Sequence, residues 1–152
     1  MLRTRRAVIV GITGAAAGVA AFGYVFGAFA ADVEGVSALS PAEALQAVRD
    51  GSVVLIDIRR PDEWARTGVP EGAVPINMRR PDFAEAVRAA RAEAALPVAL
   101  ICARGVRSRR MTQVLTEAGF DQIIDVPEGM LGSFAGPGWL KKGLPVVAWS
   151  GG

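Results

Sequence analysis

The stretch that decides how this chain folds is Pro97-Val98-Ala99-Leu100-Ile101-Cys102-Ala103-Arg104-Gly105-Val106-Arg107-Ser108. Its first part is a short, continuous apolar run, which is typical of a strand covered on both faces of a sheet. A helical pattern then runs from Ser108 to Ala118 and ends at Gly119. We therefore expect Cys102, the only cysteine, to lie between the end of a buried strand and the positive end of a helix.

Apolar runs and helical patterns also alternate along the rest of the chain. Ser40-Pro41-Ala42-Glu43 is a capping box with proline at the first helical position. Further elements are predicted as strands at 53–56, 73–77 and 123–126, and as helices from 41 to about 51 and over 81–94. This alternation predicts one α/β domain over residues 36–149, with a central, mostly parallel sheet flanked by helices.

Residues 1–31 have the pattern of a targeting segment and are kept out of the fold prediction. Three arginines precede an uncharged stretch of 25 residues, from Ala7 to Ala31. Ala28-Phe29-Ala30 favours a cleaved signal peptide, whereas the length favours a membrane anchor, since about 20 apolar residues span a bilayer. A twin-arginine leader and a buried core helix are the lesser alternatives. Residues 32–35 are predicted to be a linker.

Signal peptide and anchor predict the same location for the domain, because the arginines stay in the cytoplasm and the remainder crosses the membrane. The domain is thus expected in the periplasm, either soluble or anchored by residues 7–31. The leader holds three of the 17 basic residues and none of the 15 acidic ones, which leaves a net charge of about −1. No basic stripe with interleaved aromatic residues is present, so nucleic acid is not an expected partner.

A single cysteine and the absence of histidine restrict the chemistry. In an oxidising compartment a lone cysteine must be buried and inert, paired with another chain, or reactive. Without histidine, one chain cannot support Cys-His or Ser-His catalysis or a histidine-ligated metal. We therefore predict no metal and no cofactor.

The loop after Cys102 contains groups that favour an anion. Loop amides, the helix end near Ser108 and the charges of Arg104 and Arg107 would act together on a group at the sulfur. Gly105 permits backbone angles that turn successive amides toward one point, and Ser108 is predicted to be the N-cap. The candidate substrate-binding residues are Ala103, Arg104, Gly105, Val106, Arg107 and Ser108, beside Cys102 as the catalytic candidate.

Cys102-x-x-Gly105-x-Arg107-Ser108 resembles the active-site loop of rhodanese-type sulfurtransferases. Asp57-x-Arg59-x-x-x-Glu63-Trp64 is similar to the D-x-R-x-x-x-E-[FYW] segment of that family. Four further segments occur in the family's order: Gly72-Ala73-x-x-Ile76-Asn77, Glu117-Ala118-Gly119-Phe120, Glu128-Gly129-Met130 and Gly143-Leu144-Pro145-Val146. The resemblance extends from about Val36 to Val147.

The resemblance implies a rhodanese-like fold and a persulfide mechanism. Cys102 would take the outer sulfur of a small anionic donor such as thiosulfate and pass it to cyanide or to a thiol, including that of a partner protein. The loop amides and Arg104 would bind the donor. Arg107 would brace the loop against an acidic residue such as Asp57, and Asp57 and Arg59 would support the site structurally.

Two departures from the family pattern stand out. Gly68-Val69-Pro70 replaces the usual G-H-[IL], which predicts an altered loop contact rather than lost activity. The segment 132–139 is an insertion that is expected to form one wall of the site.

Three other functions stay open for the cysteine loop. Rhodanese-fold phosphatases and arsenate reductases use Cys-x5-Arg, a loop one residue longer than the Cys-x4-Arg found here. A non-enzymatic sulfur carrier or redox-binding module would keep the cysteine without turning over substrate. A structural role as a small buried residue is the third alternative.

Overall fold

The computed structural model describes residues 31–33, 36–91 and 96–151. Within them the strands are β1 (Ala31–Val33), β2 (Val36–Ala38), β3 (Val54–Asp57), β4 (Val69–Pro70), β5 (Val74–Pro75), β6 (Val98–Ile101), β7 (Ile123–Asp125) and β8 (Val146–Val147). The helices are α1 (Pro41–Arg49), α2 (Pro61–Thr67), α3 (Phe83–Arg91), α4 (Val106–Glu117) and α5 (Gly138–Lys141).

Six strands form the central sheet in the order β1-β2-β7-β6-β3-β5. Every neighbouring pair is parallel except β1 and β2, which are antiparallel. Strands β3 and β6 pair from Val54↔Val98 to Asp57↔Ile101, so both apolar runs lie inside the sheet and neither forms its edge. Strands β4 and β8 form a separate antiparallel pair. The predicted α/β domain with a mostly parallel sheet is confirmed.

Alternate residues of β3 and β6 face opposite sides of the sheet, and helices cover both sides. Leu55 and Ile101 pack with the layer that contains α1 and the buried Trp139 of α5. Ile56 and Leu100 pack with the layer that contains α3 and α4, and Cys102 belongs to this second cluster. Burial on both faces explains why these strands are apolar without alternation.

The N-terminal boundary differs from the predicted one. Residues Ala31, Asp32 and Val33 pair with Ala38, Ser37 and Val36. Asp32 and Val33 are thus part of the sheet rather than of a linker, because their backbone groups extend its edge. The rest of the predicted leader or anchor, residues 1–30, lies outside the described residues. No helix within the described ranges has the length and apolarity needed to cross a membrane.

Two helix boundaries also differ from the prediction. Helix α4 begins at Val106, two residues before the predicted start, and its N-cap is Gly105. The prediction that Ser108 is the N-cap is therefore wrong. Gly105 adopts a left-handed conformation (φ 80°) that turns the chain into the helix early. Helix α3 begins at Phe83, and residues 92–94 of the predicted 81–94 helix lie outside the described residues.

Candidate active site

Cys102 directly follows β6 at the carboxyl edge of the parallel sheet. The backbone on either side is fixed, because the Ile58 amide donates to Ile101 O at 3.0 Å and the Met130 amide donates to Cys102 O at 2.9 Å. The cysteine is only 1% exposed, and its Sγ lies 3.5 Å from Ser108 Oγ. The Ser108 hydroxyl in turn donates to Gly105 O at 3.0 Å. The sulfur therefore lies at the base of its loop, beside the first turn of α4.

The conformation of the loop depends on a close contact with the segment that follows β7. A Cβ on Gly105 would collide with the carbonyl oxygen of Pro127, and φ at Gly105 is positive. On the same side, Leu131 N donates to Ala103 O at 2.8 Å, and Arg104 Nη1 lies 3.4 Å from Gly132 O. The 132–139 insertion therefore begins beside the loop at Gly132, and the wall of the site expected of the whole segment stays a prediction.

The backbone amides of residues 103–108 are free to bind an anion. In the described part of the chain none of them donates a hydrogen bond to a backbone or side-chain acceptor. The amides of residues 106–108 are also the first of α4, whose dipole places partial positive charge there. This loop can therefore hold an anionic group at the sulfur without a separate base.

Arg107 is paired with Glu63 of α2, not with Asp57 as predicted. Its Nη1 and Nη2 donate to the two carboxylate oxygens of Glu63 at 2.8 and 2.7 Å. Asp57 is unsuitable because it is already bound by Arg59. Hydrogen bonding to Arg107 lowers the pKa of Glu63 from 4.5 to about 2, and Glu63 raises the pKa of Arg107. The fork-to-fork pair ties the cysteine loop to α2.

The Glu63→Gln variant is expected to lower the free energy of unfolding at pH 7 by about 2 kcal/mol. This figure converts the pKa shift and allows for solvent screening, since Arg107 is 31% exposed. Because the folded pKa of Glu63 is depressed, its contribution is fully present above pH 4.5 and is lost as the pH falls toward 2. Urea unfolding between pH 7 and pH 3 measures the difference from wild type.

Asp62→Asn is the matched control, because Asp62 lies next to Glu63 on α2 but its contacts with Arg60 and Arg66 are exposed. We expect this control to leave the free energy of unfolding close to that of wild type, because exposed ion pairs contribute little. A deficit in Glu63→Gln that is as large at pH 3 as at pH 7 would contradict the ion-pair interpretation.

Asp57 and Arg59 form a buried ion pair beneath the site. Their side chains are 0% and 2% exposed, and Arg59 Nη2 lies 2.7 Å from Asp57 Oδ2. Arg59 also donates to Thr67 Oγ1 and to Gly68 O, both at 2.8 Å. Asp57 pairs in register with Ile101, the residue before Cys102. The pair thus connects the end of β3 to the end of α2, and its Asp57 lies opposite the residue that precedes Cys102.

The segment that departs from the family pattern forms strand β4. Val69 and Pro70 pair with Val147 and Val146 of β8, and Val69 is buried. The position of the missing family histidine is therefore covered by the C-terminal strand, and an altered loop contact there stays a prediction.

Asp125 is a buried carboxyl near the site that the sequence did not single out. It ends β7, and its Oδ1 has no hydrogen-bond partner among the described residues. Burial raises the pKa of Asp125, although Ser108, the Val126 amide and Arg109 favour the ionised form. The sequence could have indicated Asp125, because it ends a predicted strand and the carboxyl ends of adjacent parallel strands meet at one edge of a sheet.

No group of three or more histidine, cysteine or acidic side chains that could hold a metal occurs within residues 31–33, 36–91 and 96–151. The described site is therefore built from backbone amides, arginines and one sulfur. Fold and site together define the class: an α/β domain with an anion-receptive cysteine loop at the carboxyl edge of its sheet.

The chain belongs to the rhodanese-like family, since the family model for the rhodanese-like domain matches residues 40–133. It is similar to the thiosulfate sulfurtransferase GlpE of Actinobacillus pleuropneumoniae serotype 3. The two are 30% identical over 108 residues, which cover 71% of this chain and 90% of that protein. This likeness supports sulfurtransferase activity at the level of the family.

Two solved structures resemble the chain. The 30 kDa polysulfide-sulfur transferase homodimer of Wolinella succinogenes is 25% identical with a TM-score of 0.57, covering 86% of this chain and 87% of that one. Rv0390 from M. tuberculosis is 27% identical with a TM-score of 0.58, covering 74% of this chain and 97% of that one.

Proposed function

We propose that this protein is a sulfurtransferase that moves sulfane sulfur from a donor such as thiosulfate, through a persulfide on Cys102, to cyanide or a thiol. The observation that carries the proposal is the loop of residues 103–108, whose amides have no hydrogen-bond acceptor among the described residues and include the first amides of α4, next to Cys102. Such a loop stabilises negative charge at the sulfur, and no histidine is needed. The similarity to a thiosulfate sulfurtransferase supports the same reaction class.

The proposed reaction has two balanced steps. The Cys102 thiolate attacks the outer sulfur of thiosulfate, a new S–S bond forms, and the old S–S bond breaks with its electron pair leaving on sulfite. Cyanide then attacks the outer sulfur of the Cys102 persulfide, thiocyanate forms, and the electron pair returns to Cys102 as a thiolate. Neither step needs an external oxidant, reductant or cofactor. The exposed Arg104 would attract the anionic donor.

The placement of Arg107 favours sulfur over phosphate as the transferred group. Both of its terminal nitrogens donate to Glu63, which neutralises the charge that a tetrahedral oxyanion would need from this arginine. The proposal is tested by supplying thiosulfate with cyanide, or an aryl phosphate, to the purified protein. Thiocyanate formation without phosphate release is expected, and phosphate release alone would favour the phosphatase alternative.

A carrier that gives its sulfur to one partner protein is the second candidate. The exposed Val106 of the cysteine loop favours it, because a protein acceptor can bury this side chain and a small diffusing acceptor cannot. Burial of Cys102 also suits an inert core cysteine, but that alternative does not account for loop amides without a hydrogen-bond partner among the described residues. Slow transfer to cyanide combined with rapid transfer to a co-purifying protein would identify the carrier.

The location of the domain is proposed from the N-terminal sequence alone. Arginines followed by 25 uncharged residues support export to the periplasm, with membrane attachment if the segment stays uncleaved. A periplasm-dependent reporter fused after Gly152 should be active in a bacterial host. A reporter that is active only in the cytoplasm would overturn the proposed location.

A further inference from the structure

Three apolar side chains, here called the apolar rim, are exposed around the cysteine loop. Val106 is 78% exposed, Leu131 is 46% exposed and Phe134 is fully exposed. Each is connected to the loop by a direct contact of its own segment. Val106 follows Gly105, Leu131 N donates to Ala103 O, and Phe134 lies in the insertion that begins at Gly132, beside Arg104.

Pro127 brings the backbones of two members of the apolar rim close together. Its carbonyl oxygen packs against Gly105, the residue before Val106, and accepts a 2.7 Å hydrogen bond from the hydroxyl of Ser133, the residue before Phe134. Val106 and Phe134 thus each follow a residue in contact with the same carbonyl. The backbones of these two exposed residues are therefore close together beside the cysteine loop.

Phe134 is held outward by a structured turn. Ser133 N donates to Gly136 O at 2.9 Å, and the Ala135 amide donates to Ser133 Oγ at 3.1 Å. Beneath the turn, Glu128 accepts from Gly138 N and from Lys142 Nζ at 3.0 and 2.7 Å. The hydrogen bonds fix the turn and so leave the Phe134 ring exposed to water. An exposed aromatic ring on a fixed turn is typical of a binding anchor, because its burial on association is favourable and costs little conformational entropy.

The charge beside the apolar rim is positive. Four arginines and no acidic residue occur between Cys102 and Arg110, and the charge of one of them, Arg107, is neutralised by Glu63. The segment from Gly129 to Trp139 is uncharged, and Asp125 is buried. Arg104 and Arg110 are exposed, so the apolar rim has a cationic border. A partner that fits this surface presents apolar and acidic side chains together.

We infer that the apolar rim is the docking surface for an acceptor protein whose reactive cysteine lies among apolar and acidic residues. This inference rests on the proposed sulfurtransferase function and identifies the class of acceptor. A small anion such as cyanide gains nothing from exposed apolar side chains. A membrane on the same surface would cover Cys102 and separate it from any dissolved thiol. A protein thiol is the occupant that uses both the apolar rim and the sulfur beside it.

The transfer to such a partner balances without a co-reactant. The partner's thiol loses its proton to solvent, and the thiolate attacks the outer sulfur of the Cys102 persulfide. A new S–S bond forms on the partner as the Cys102 S–S bond breaks, and the electron pair remains on Cys102 as a thiolate. The partner leaves as the persulfide.

The test uses full-length protein loaded with sulfur from thiosulfate and a synthetic peptide with one cysteine flanked by leucines and glutamates. Phe134→Ser is expected to lower kcat/KM for this peptide about tenfold, the effect of losing part of one buried aromatic side chain. Transfer to cyanide and the melting temperature should stay unchanged. Val147→Ser is the matched control, because Val147 is exposed on β8 of the separate two-stranded sheet, and it should behave as wild type with both acceptors.

Peptides in which lysines replace the glutamates, or serines replace the leucines, should be poorer acceptors for wild type and should reduce the effect of Phe134→Ser.

Equal peptide rates for wild type and Phe134→Ser would overturn the inference while leaving the sulfurtransferase proposal intact. Failure of wild type to load sulfur would instead contradict the proposed function. Loss in Phe134→Ser of binding to anionic phospholipid vesicles, or of self-association, with unchanged peptide rates would also overturn the inference.

Discussion

Replacing Cys102 by serine is expected to abolish sulfur transfer from thiosulfate to cyanide, with a loss on the order of a thousandfold or more in kcat/KM. A serine hydroxyl is far less ionised than a thiol, and it cannot form a persulfide. The loop amides and arginines remain in place, so the donor still has its binding groups. The rate of thiocyanate formation by purified protein measures the loss.

Ser108→Ala is the informative companion to this variant, because its hydroxyl lies 3.5 Å from Cys102 Sγ. We expect it to slow transfer but to retain formation of the persulfide. Unchanged melting temperatures in both variants would exclude unfolding as the cause. Activity that survives in Cys102→Ser and disappears in Ser108→Ala would exclude the sulfur as the nucleophile.

The largest expected effect on stability belongs to Arg59→Met. Methionine preserves much of the side-chain volume but leaves Asp57 buried without its guanidinium partner, and removing one partner of a buried pair costs about 3–5 kcal/mol. Arg59 also makes hydrogen bonds to Thr67 and Gly68, whose loss would loosen the end of α2. Urea unfolding at pH 7 measures the change in the free energy of unfolding.

Arg66→Met is the matched control, because Arg66 lies on the neighbouring helix and its pair with Asp62 is exposed. This variant should lose less than about 1 kcal/mol. The double variant Asp57→Leu with Arg59→Met should regain part of the stability, since no unpaired charge stays buried. A loss in Arg59→Met no greater than that in Arg66→Met would contradict the role of the buried pair.

Local patterns were sufficient to predict most of the central sheet. The runs at Val54–Asp57 and Val98–Ile101 are apolar because both faces of each strand are covered. Such burial requires consecutive apolar residues, which can be seen in the sequence. The position of Cys102 after β6 follows from the same pattern. The start of α4 was less predictable. Ser108 has the residue type of an N-cap, but the left-handed turn at Gly105 and the contact with Pro127 begin the helix earlier.

Pairing between distant residues could not be predicted from spacing. Asp57 and Glu63 both lie in one motif, 50 and 44 residues before Arg107, and either carboxylate was a reasonable partner. The structure decides between them because Asp57 and Arg59 satisfy each other in the core, whereas Glu63 points from α2 to the loop. The exposure of Phe134 was equally hidden, since a phenylalanine in a Gly- and Pro-rich tail is more often a packing residue.

The measurement that tests the central claim most directly is the intact mass of the purified protein after treatment with thiosulfate. We predict a gain of one sulfur atom, located on the peptide that contains Cys102, and its complete removal by cyanide with release of thiocyanate. Cys102→Ser should show no gain. An unchanged mass in a folded wild-type protein, or a sulfur atom located elsewhere than on Cys102, would contradict the persulfide mechanism.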